Sequence, residues 1–117
     1  PLYSSAASDV YKRQEQVLIN LIKNAKESCG QNTAPQIEVE LEQVPGKVCS
    51  LTVRDNGEGI LPEVIDKVFV PFFTTKPSGS GIGLSLCKQI MNLHGGTITV
   101  SSEIGKGSCF TLMFPGR

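Results

Sequence analysis

The chain has 117 residues, and its 11 Lys+Arg balance 11 Asp+Glu, so it carries no formal net charge at pH 7. A neutral chain of this length indicates a single domain without the positive field that recruits nucleic acid or anionic lipid, so neither partner is expected. Hydrophobic residues make up 39%, enough for one packed core. No apolar run approaches the roughly 20 residues of a membrane helix.

Glycine and cysteine are the informative residue types. Nine of the 12 glycines fall between Gly57 and Gly107, in short recurring patterns rather than in a linker. The four cysteines form no C-x-x-C pair, which argues against a zinc site or a redox dithiol and predicts free thiols. These cysteines are Cys29, Cys49, Cys87 and Cys109.

The first 14 residues show no convincing periodicity. Their last six, DVYKRQ, read as the translation of a transposase sequencing adapter. We therefore predict that residues 1–14 are a non-native leader, with an ordinary disordered leader as the alternative. Coding DNA that differs from the adapter would contradict the non-native origin. The domain is expected to occupy residues 15–117.

The first half of that domain reads as a helix followed by a hairpin. Apolar residues at three- and four-residue spacing predict a helix over residues 15–28. Ile37, Val39 and Leu41 alternate with glutamates, which predicts a half-buried strand. A turn at residues 44–47 then leads into a second strand, residues 48–54, in antiparallel pairing.

The second half reads as two helices and a second hairpin. The pattern predicts a short helix over residues 63–68, a loop over 71–83, a helix over 84–93, and strands over 97–101 and 108–114. These elements together predict an α+β, two-layer α/β sandwich, with helices on one face of a mixed, mainly antiparallel sheet.

Two asparagines share one stripe of the first predicted helix, because Asn20 and Asn24 are four residues apart. An amide oxygen is a suitable hard ligand for Mg²⁺, which usually keeps several waters and shares phosphate oxygens with its nucleotide. Asn24 is therefore a candidate to hold a metal–phosphate unit. The alternative is that both residues mark the solvated side of an amphipathic helix.

A second candidate is the segment Asp55–Ile60, directly after a predicted strand. The Asp55 carboxylate can accept a hydrogen bond from an exocyclic amine, and Gly57 and Gly59 let the backbone approach a planar base closely. Adenine is the natural ligand for such a site. The alternative is a plain D-N-G turn.

A third candidate lies before the second long helix. The segment GSGIGL, residues 79–84, offers consecutive backbone N–H groups that can cradle phosphate. It follows a loop and has Leu84 at the final position, so it is not a dinucleotide fingerprint; Lys106, followed by Gly107 and without the upstream glycine, makes no Walker loop. Lys76 could reach a phosphate, although a solvated lysine is the alternative. Phe69 is expected in the core, and Phe72 or Phe73 could anchor a mobile lid.

The order of these segments is more specific than any one of them. The set comprises VLINLIKNA (17–25), DNGEGI (55–60), VFVPFFTTKP (68–77), GSGIGL (79–84), HGG (94–96) and GKGS (105–108). It resembles the catalytic ATP-binding domain of sensor histidine kinases in the GHKL superfamily, and the T-T-K-P segment is similar to kinases of the nitrogen-regulation kind. The resemblance implies a Bergerat-type fold, shared with type II topoisomerases, Hsp90 chaperones and MutL proteins.

The resemblance also implies residue roles. Asn24 would hold Mg²⁺, Asp55 the adenine amine, and the glycines of residues 79–83 would form a lid over the phosphates. Thr111, on the last strand, would lie beneath the adenine. The implied catalytic residues are Asn20, Asn24 and Lys76. The implied ATP-contacting residues are Asn24, Asp55, Gly57, Gly59, Ile60, Lys76, Gly79, Ser80, Gly81, Ile82, Gly83, Leu84 and Thr111.

The implied function is transfer of the γ-phosphoryl of Mg-ATP to a histidine on a separate dimerisation and phosphoacceptor domain, then to a response regulator. In the ATPase relatives, a Glu activates water at the place of Asn20, and an amide is a poor base, which favours transfer over hydrolysis. The resemblance implies a cytoplasmic location and indicates that the phosphoacceptor hairpin and the domain's first strand are absent from this chain.

Three alternatives share the fold. They are a nucleotide-binding regulatory module without kinase activity, an ATPase of the Hsp90 or MutL kind, and a serine kinase of the anti-sigma type.

Overall fold

A four-stranded sheet carries two long helices on one of its faces. The computed structural model describes residues 5–30, 32–43, 49–73 and 83–115, with the backbone alone for residues 5–13. The elements in chain order are α1 (Ser5–Ser28), β1 (Ile37–Gln43), β2 (Cys49–Asp55), α2 (Pro62–Ile65), α3 (Gly83–Leu93), β3 (Thr97–Glu103) and β4 (Gly107–Phe114). This arrangement confirms the predicted α+β class.

The sheet has the strand order β1-β2-β4-β3, and each neighbouring pair is antiparallel. Its register places Val53 opposite Phe110, and Leu112 opposite Ile98. Side chains alternate between the two faces of a strand, so these four apolar residues all point to the helix side. The pairing of β1 with β2 and of β3 with β4 confirms both predicted hairpins.

The core lies between the sheet and the two long helices. On α1, Val17, Leu21 and Ala25 are at most 1% exposed, and on α3 Cys87 and Met91 are equally buried. Spacings of four residues place each set on one helix face, so both helices bury a single stripe against the sheet. The periodicity that predicted these helices therefore corresponds to their buried faces.

Helix α1 is longer than predicted, because it begins at Ser5 instead of residue 15. The backbone of residues 5–14 is helical, which differs from the alternative of a disordered leader; the non-native origin of residues 1–14 stays a prediction. Helix α2 is shorter than predicted and gives way to turns after Ile65. Within the described ranges, no helix has the length and apolar character to cross a membrane.

Strand β1 is more exposed than its alternation predicted. Val39 and Leu41 point to the helix side, yet they are 49% and 64% exposed. Strand β1 lies at the edge of the described sheet, where its one neighbour is β2. The Asn56 N–H donates to the Gln36 carbonyl at 3.2 Å, so the antiparallel alternation turns the N–H and C=O groups of Ile37, Val39 and Leu41 away from β2.

The core assignment predicts unequal costs for two equivalent truncations. Leu21→Ala removes a fully buried side chain and should lower the free energy of unfolding by about 2–5 kcal/mol. Leu93→Ala is the matched control, because Leu93 also lies on a helix but is 70% exposed, and it should change stability by less than about 0.5 kcal/mol. Urea denaturation followed by circular dichroism measures both; similar losses would contradict the core described above.

Candidate functional site

Asp55 ends β2 as a buried carboxylate with one oxygen satisfied. It is 8% exposed, and its Oδ1 accepts the Gly57 N–H at 2.9 Å. Its Oδ2 is buried and has no hydrogen-bond partner among the described residues. A buried acceptor without a donor is costly, so such an atom in a native site points to a donor supplied by a ligand or by water.

The turn after Asp55 is closely enclosed by two other segments. A Cβ on Gly57 would overlap Ser28 at the end of α1, and a Cβ on Gly59, whose φ is +80°, would overlap the Glu103 carbonyl. Gly107 has a φ of +125°, and a Cβ there would overlap the Asp55 carbonyl. Glycine at these three positions lets α1 and the β3–β4 hairpin approach the turn.

Backbone hydrogen bonds fix the turn between those segments. The Glu58 N–H donates to the Ser28 carbonyl at 3.3 Å, and the Glu58 carbonyl accepts the Gly105 N–H at 2.9 Å. The Ile60 N–H donates to Ser102 Oγ at 2.7 Å. The turn is therefore held from both sides, which differs from a plain solvent-exposed D-N-G turn.

Asn56 has a structural role that its place in the turn did not predict. Its Oδ1 accepts the Gln36 N–H at 2.8 Å, and its Nδ2 donates to the Ala34 carbonyl at 2.9 Å. Asn32 Nδ2 donates to the Asn56 carbonyl at 2.8 Å. These bonds tie the segment before β1 to the end of β2 and hold Asp55 in place.

The asparagine stripe of α1 runs between α3 and the glycine turn. Asn20 and Asn24 are half-buried. Asn20 hydrogen-bonds the Cys87 thiol of α3, and Ser28, one turn beyond Asn24, packs on Gly57. The stripe therefore faces the interior at both ends, which disfavours the solvated-face alternative for these asparagines.

The Cys87 thiol has a strongly perturbed acidity. Burial raises the pKa of Cys87 from 9.0 to about 11, against the lowering effect of its hydrogen bond with Asn20. Its Sγ also donates to the Val17 carbonyl at 3.7 Å. The thiol is thus neutral at physiological pH and acts as a small buried polar group between the two helices. All four cysteines are free thiols in the structure.

The structure does not place Thr111 with the other predicted site residues. Thr111 lies opposite Thr52 and Thr99 in the sheet register, on the face away from the helices. Ser108 instead lies opposite Asp55, on the helix side, and is 6% exposed. The register favours Ser108 as the β4 side chain beside Asp55, and the role of Thr111 beneath the adenine stays a prediction. The alternation of Ser108 with the apolar Phe110 and Leu112 is the sequence signal for this facing.

The remaining predicted residues divide into two groups. Gly83 begins α3 with open space where a Cβ would stand, and Leu84 and Ile60 pack their side chains against the core. Phe69 also packs there, with its ring edge-on to Phe110 at 6.3 Å between centroids, as predicted. Phe72 and Phe73, the candidate lid anchors, are described, and Phe72 is 74% exposed. The other lid candidates lie outside the described residues: Lys76, Gly79, Ser80, Gly81 and Ile82.

These features define an α+β domain with its site where α1, the end of β2 and the β3–β4 hairpin meet. The family model described as histidine kinase-, DNA gyrase B-, and HSP90-like ATPase matches residues 9–117. The chain belongs to this family, as the catalytic ATP-binding domain of a histidine kinase.

Proteins similar to this chain in sequence and in structure support the same family assignment. Sensor histidine kinase ZraS of Escherichia coli is 42% identical over 103 residues, which are 88% of this chain and 22% of ZraS. The catalytic domain of histidine kinase ThkA is 38% identical with a TM-score of 0.77, covering 90% of this chain and 67% of that one. Full-length ShkA in complex with AMPPNP is 26% identical with a TM-score of 0.76, covering 90% and 22%. The chain thus spans about a fifth of the length of ZraS.

The raised pKa of Cys87 predicts an alkaline loss of stability. The unfolded thiol titrates near 9.0 and the folded thiol near 11, so the unfolded state loses its proton first and the free energy of unfolding falls as pH rises from about 9 to 11. Urea denaturation under reducing conditions at pH 8.0 and 10.5 measures this fall.

Two cysteine variants make the alkaline test specific. Cys87→Val should show a smaller fall than the wild-type chain, because it removes the titrating group. Cys109→Val is the control, because Cys109 lies on the face of the sheet away from the helices. Its free energy of unfolding should fall with pH as much as that of the wild-type chain. Identical falls in all three proteins would contradict the role of Cys87.

Proposed function

We propose that this chain binds Mg-ATP. We further propose that, in its full-length parent, it positions the γ-phosphoryl for transfer to a histidine of a separate phosphoacceptor and dimerisation domain. A response regulator would then receive the phosphoryl group. The observation that carries the proposal is Asp55 Oδ2, which is buried at a glycine-enclosed turn and has no hydrogen-bond partner within the described ranges. The AMPPNP complex of the structural relative ShkA supports it.

The Asp55 carboxylate selects for an amino group. Its Oδ1 is occupied by the Gly57 N–H, which leaves Oδ2 as a buried acceptor without a partner among the described residues. An adenine amine supplies the missing donor, whereas the carbonyl of guanine would place oxygen against oxygen. A charged acceptor also makes a stronger hydrogen bond than a neutral one. These properties support adenine as the base that the site recognises.

The side chains at the site fit Mg²⁺ only if phosphate oxygens of the nucleotide complete its coordination. In the residues that the structure describes, no three His, Cys, Asp or Glu side chains form a metal cluster. Asn24 offers one hard amide oxygen, and Mg²⁺ readily shares phosphate oxygens and keeps water ligands. Asn24 would therefore hold the ion through the nucleotide. The ion would neutralise charge on the transferring phosphoryl group.

The chain's own residues favour transfer over hydrolysis. Asn20 occupies the place where an ATPase of the Hsp90 or MutL kind needs a general base, and its amide is engaged by the Cys87 thiol. An amide has no useful basicity, so it cannot activate water. Positioning and electrostatic stabilisation then supply the catalysis, with Lys76 and the glycines of residues 79–83 as the proposed lid over the phosphates.

The proposal also covers the location of the parent protein and the surfaces that this domain does not contact. The parent is a sensor kinase whose catalytic part works in the cytoplasm. This domain makes no direct contact with the membrane or with nucleic acid. The neutral net charge supports both exclusions, because the domain lacks the positive charge that such surfaces attract.

Replacing the carboxylate tests the adenine assignment. In Asp55→Asn, the Gly57 N–H retains the amide oxygen, so the amide NH₂ faces the site and opposes the adenine amine. We expect ATP affinity to fall at least about tenfold, measured by calorimetric titration. Asp66→Asn is the control, since Asp66 is exposed after α2, and should bind ATP like the wild-type chain. Equal affinity in both variants would refute the pocket.

A transfer assay distinguishes a kinase from its alternatives. The purified chain is mixed with γ-labelled ATP and the phosphoacceptor hairpin of ZraS, its relative at 42% identity. We expect label on the hairpin that is acid-labile and base-stable, as for phosphohistidine, and less of it with Asp55→Asn. Nucleotide binding without label would favour a regulatory module. Steady phosphate release would favour an ATPase, and phosphoserine on a partner would favour the anti-sigma type.

A further inference from the structure

Ser102 is a polar side chain at the centre of the site that neither the sequence motifs nor the mechanism uses. We propose that Ser102 is a positioning residue that orients the Ser108 hydroxyl as an acceptor and so sharpens the selection of an amino group at the nucleobase. This inference rests on the proposed function, since it concerns the same adenine site.

The Ser102 hydroxyl joins three segments of the site. Its Oγ lies 2.7 Å from the Ile60 nitrogen, 2.8 Å from the Gly107 carbonyl oxygen and 3.0 Å from Ser108 Oγ. Ser102 lies opposite Ser108 in the β3–β4 register, and Ser108 lies opposite Asp55 in the β2–β4 register. The three side chains therefore stand side by side on the helix face of the sheet.

The protons of this cluster can be assigned by counting donors and acceptors. A serine hydroxyl has one proton and two lone pairs. The Gly107 carbonyl can only accept, so it takes the Ser102 proton, while the Ile60 N–H occupies one Ser102 lone pair. The second lone pair faces Ser108. Ser108 therefore donates its proton to Ser102, which leaves the Ser108 lone pairs for another donor.

This direction of the Ser108 hydroxyl has a consequence for the ligand. With its proton held by Ser102, Ser108 is an acceptor opposite Asp55 in the β2–β4 register, and Asp55 Oδ2 has no partner in the described part of the chain. Two neighbouring acceptors favour a group rich in N–H donors, such as an amino group, and disfavour a carbonyl. Without Ser102, the Ser108 hydroxyl can rotate and donate, which would accommodate a carbonyl better.

The test compares ATP with inosine triphosphate, which carries a carbonyl in place of the amine. We expect Ser102→Ala to lower the ratio of ATP to inosine triphosphate affinity by about fivefold, the value of one neutral hydrogen bond. Ser102→Thr retains the hydroxyl and should retain the ratio. Ser101→Ala is the matched control on the exposed face of β3 and should change nothing. Calorimetric titration with each nucleotide measures the affinities.

A structural role alone would move both affinities together. If Ser102→Ala weakens both nucleotides equally, the inference is wrong although the proposed function stands. A wild-type chain that binds neither nucleotide overturns the proposed function and this inference with it. Should Ser102→Ala not fold, Ser108→Ala carries the test: it removes the oriented acceptor and should lower the same ratio, and an unchanged ratio there also overturns the inference.

Where both single variants fold, the double variant adds an independent measurement. Ser102→Ala with Ser108→Ala should lower the affinity ratio no further than Ser108→Ala alone, because Ser102 acts through Ser108. Additive losses in the ratio would show that Ser102 acts on the ligand by another route, which contradicts the positioning role.

Discussion

The site depends on the absence of side chains where three backbone segments meet. The end of α1, the turn after β2 and the β3–β4 hairpin approach one another so closely that a single Cβ at Gly57, Gly59 or Gly107 would overlap neighbouring backbone. This approach buries Asp55 and delivers the Gly57 N–H to one of its oxygens. The second oxygen is left as the polar group that a ligand can satisfy. Glycine at these three positions is therefore a requirement of the site.

The elements that bury a continuous stripe were the ones the sequence predicted well. Val17, Leu21 and Ala25 on α1 repeat with a helical period and are buried as a set. Strand β1 shows where local pattern is insufficient, because Val39 and Leu41 alternate like a half-buried strand yet lie at an edge. Burial depends on which elements pack nearby, and alternation alone does not contain that information.

The site shows the same division between local and tertiary information. Asp55 was identifiable because it follows a strand and precedes two glycines, a property of neighbouring residues. Thr111 was chosen from its place on a recognised strand, without comparing the face of the sheet it lies on with that of Asp55. Asn20 contacts Cys87, which lies 67 positions further along the chain. The Ser102 cluster joins Ser102 to Ile60, 42 positions away, and connects the two hairpins. Such pairs are fixed by the docking of elements, which no single segment specifies.

The glutamates of the edge strand β1 oppose pairing between two copies of the domain. Glu38 and Glu42 flank Glu40 on the face of β1 opposite Val39 and Leu41, and among the described residues Glu40 alone of the three forms an ion pair, with Arg54 at 2.9 Å. If the edges of two copies paired antiparallel, the two glutamate rows would stand side by side on the same face of the joined sheet. Repulsion between like charges opposes that pairing. In the sheet that the structure describes, the negative row thus makes the exposed edge of β1, with its two apolar side chains, a poor template for its own copies.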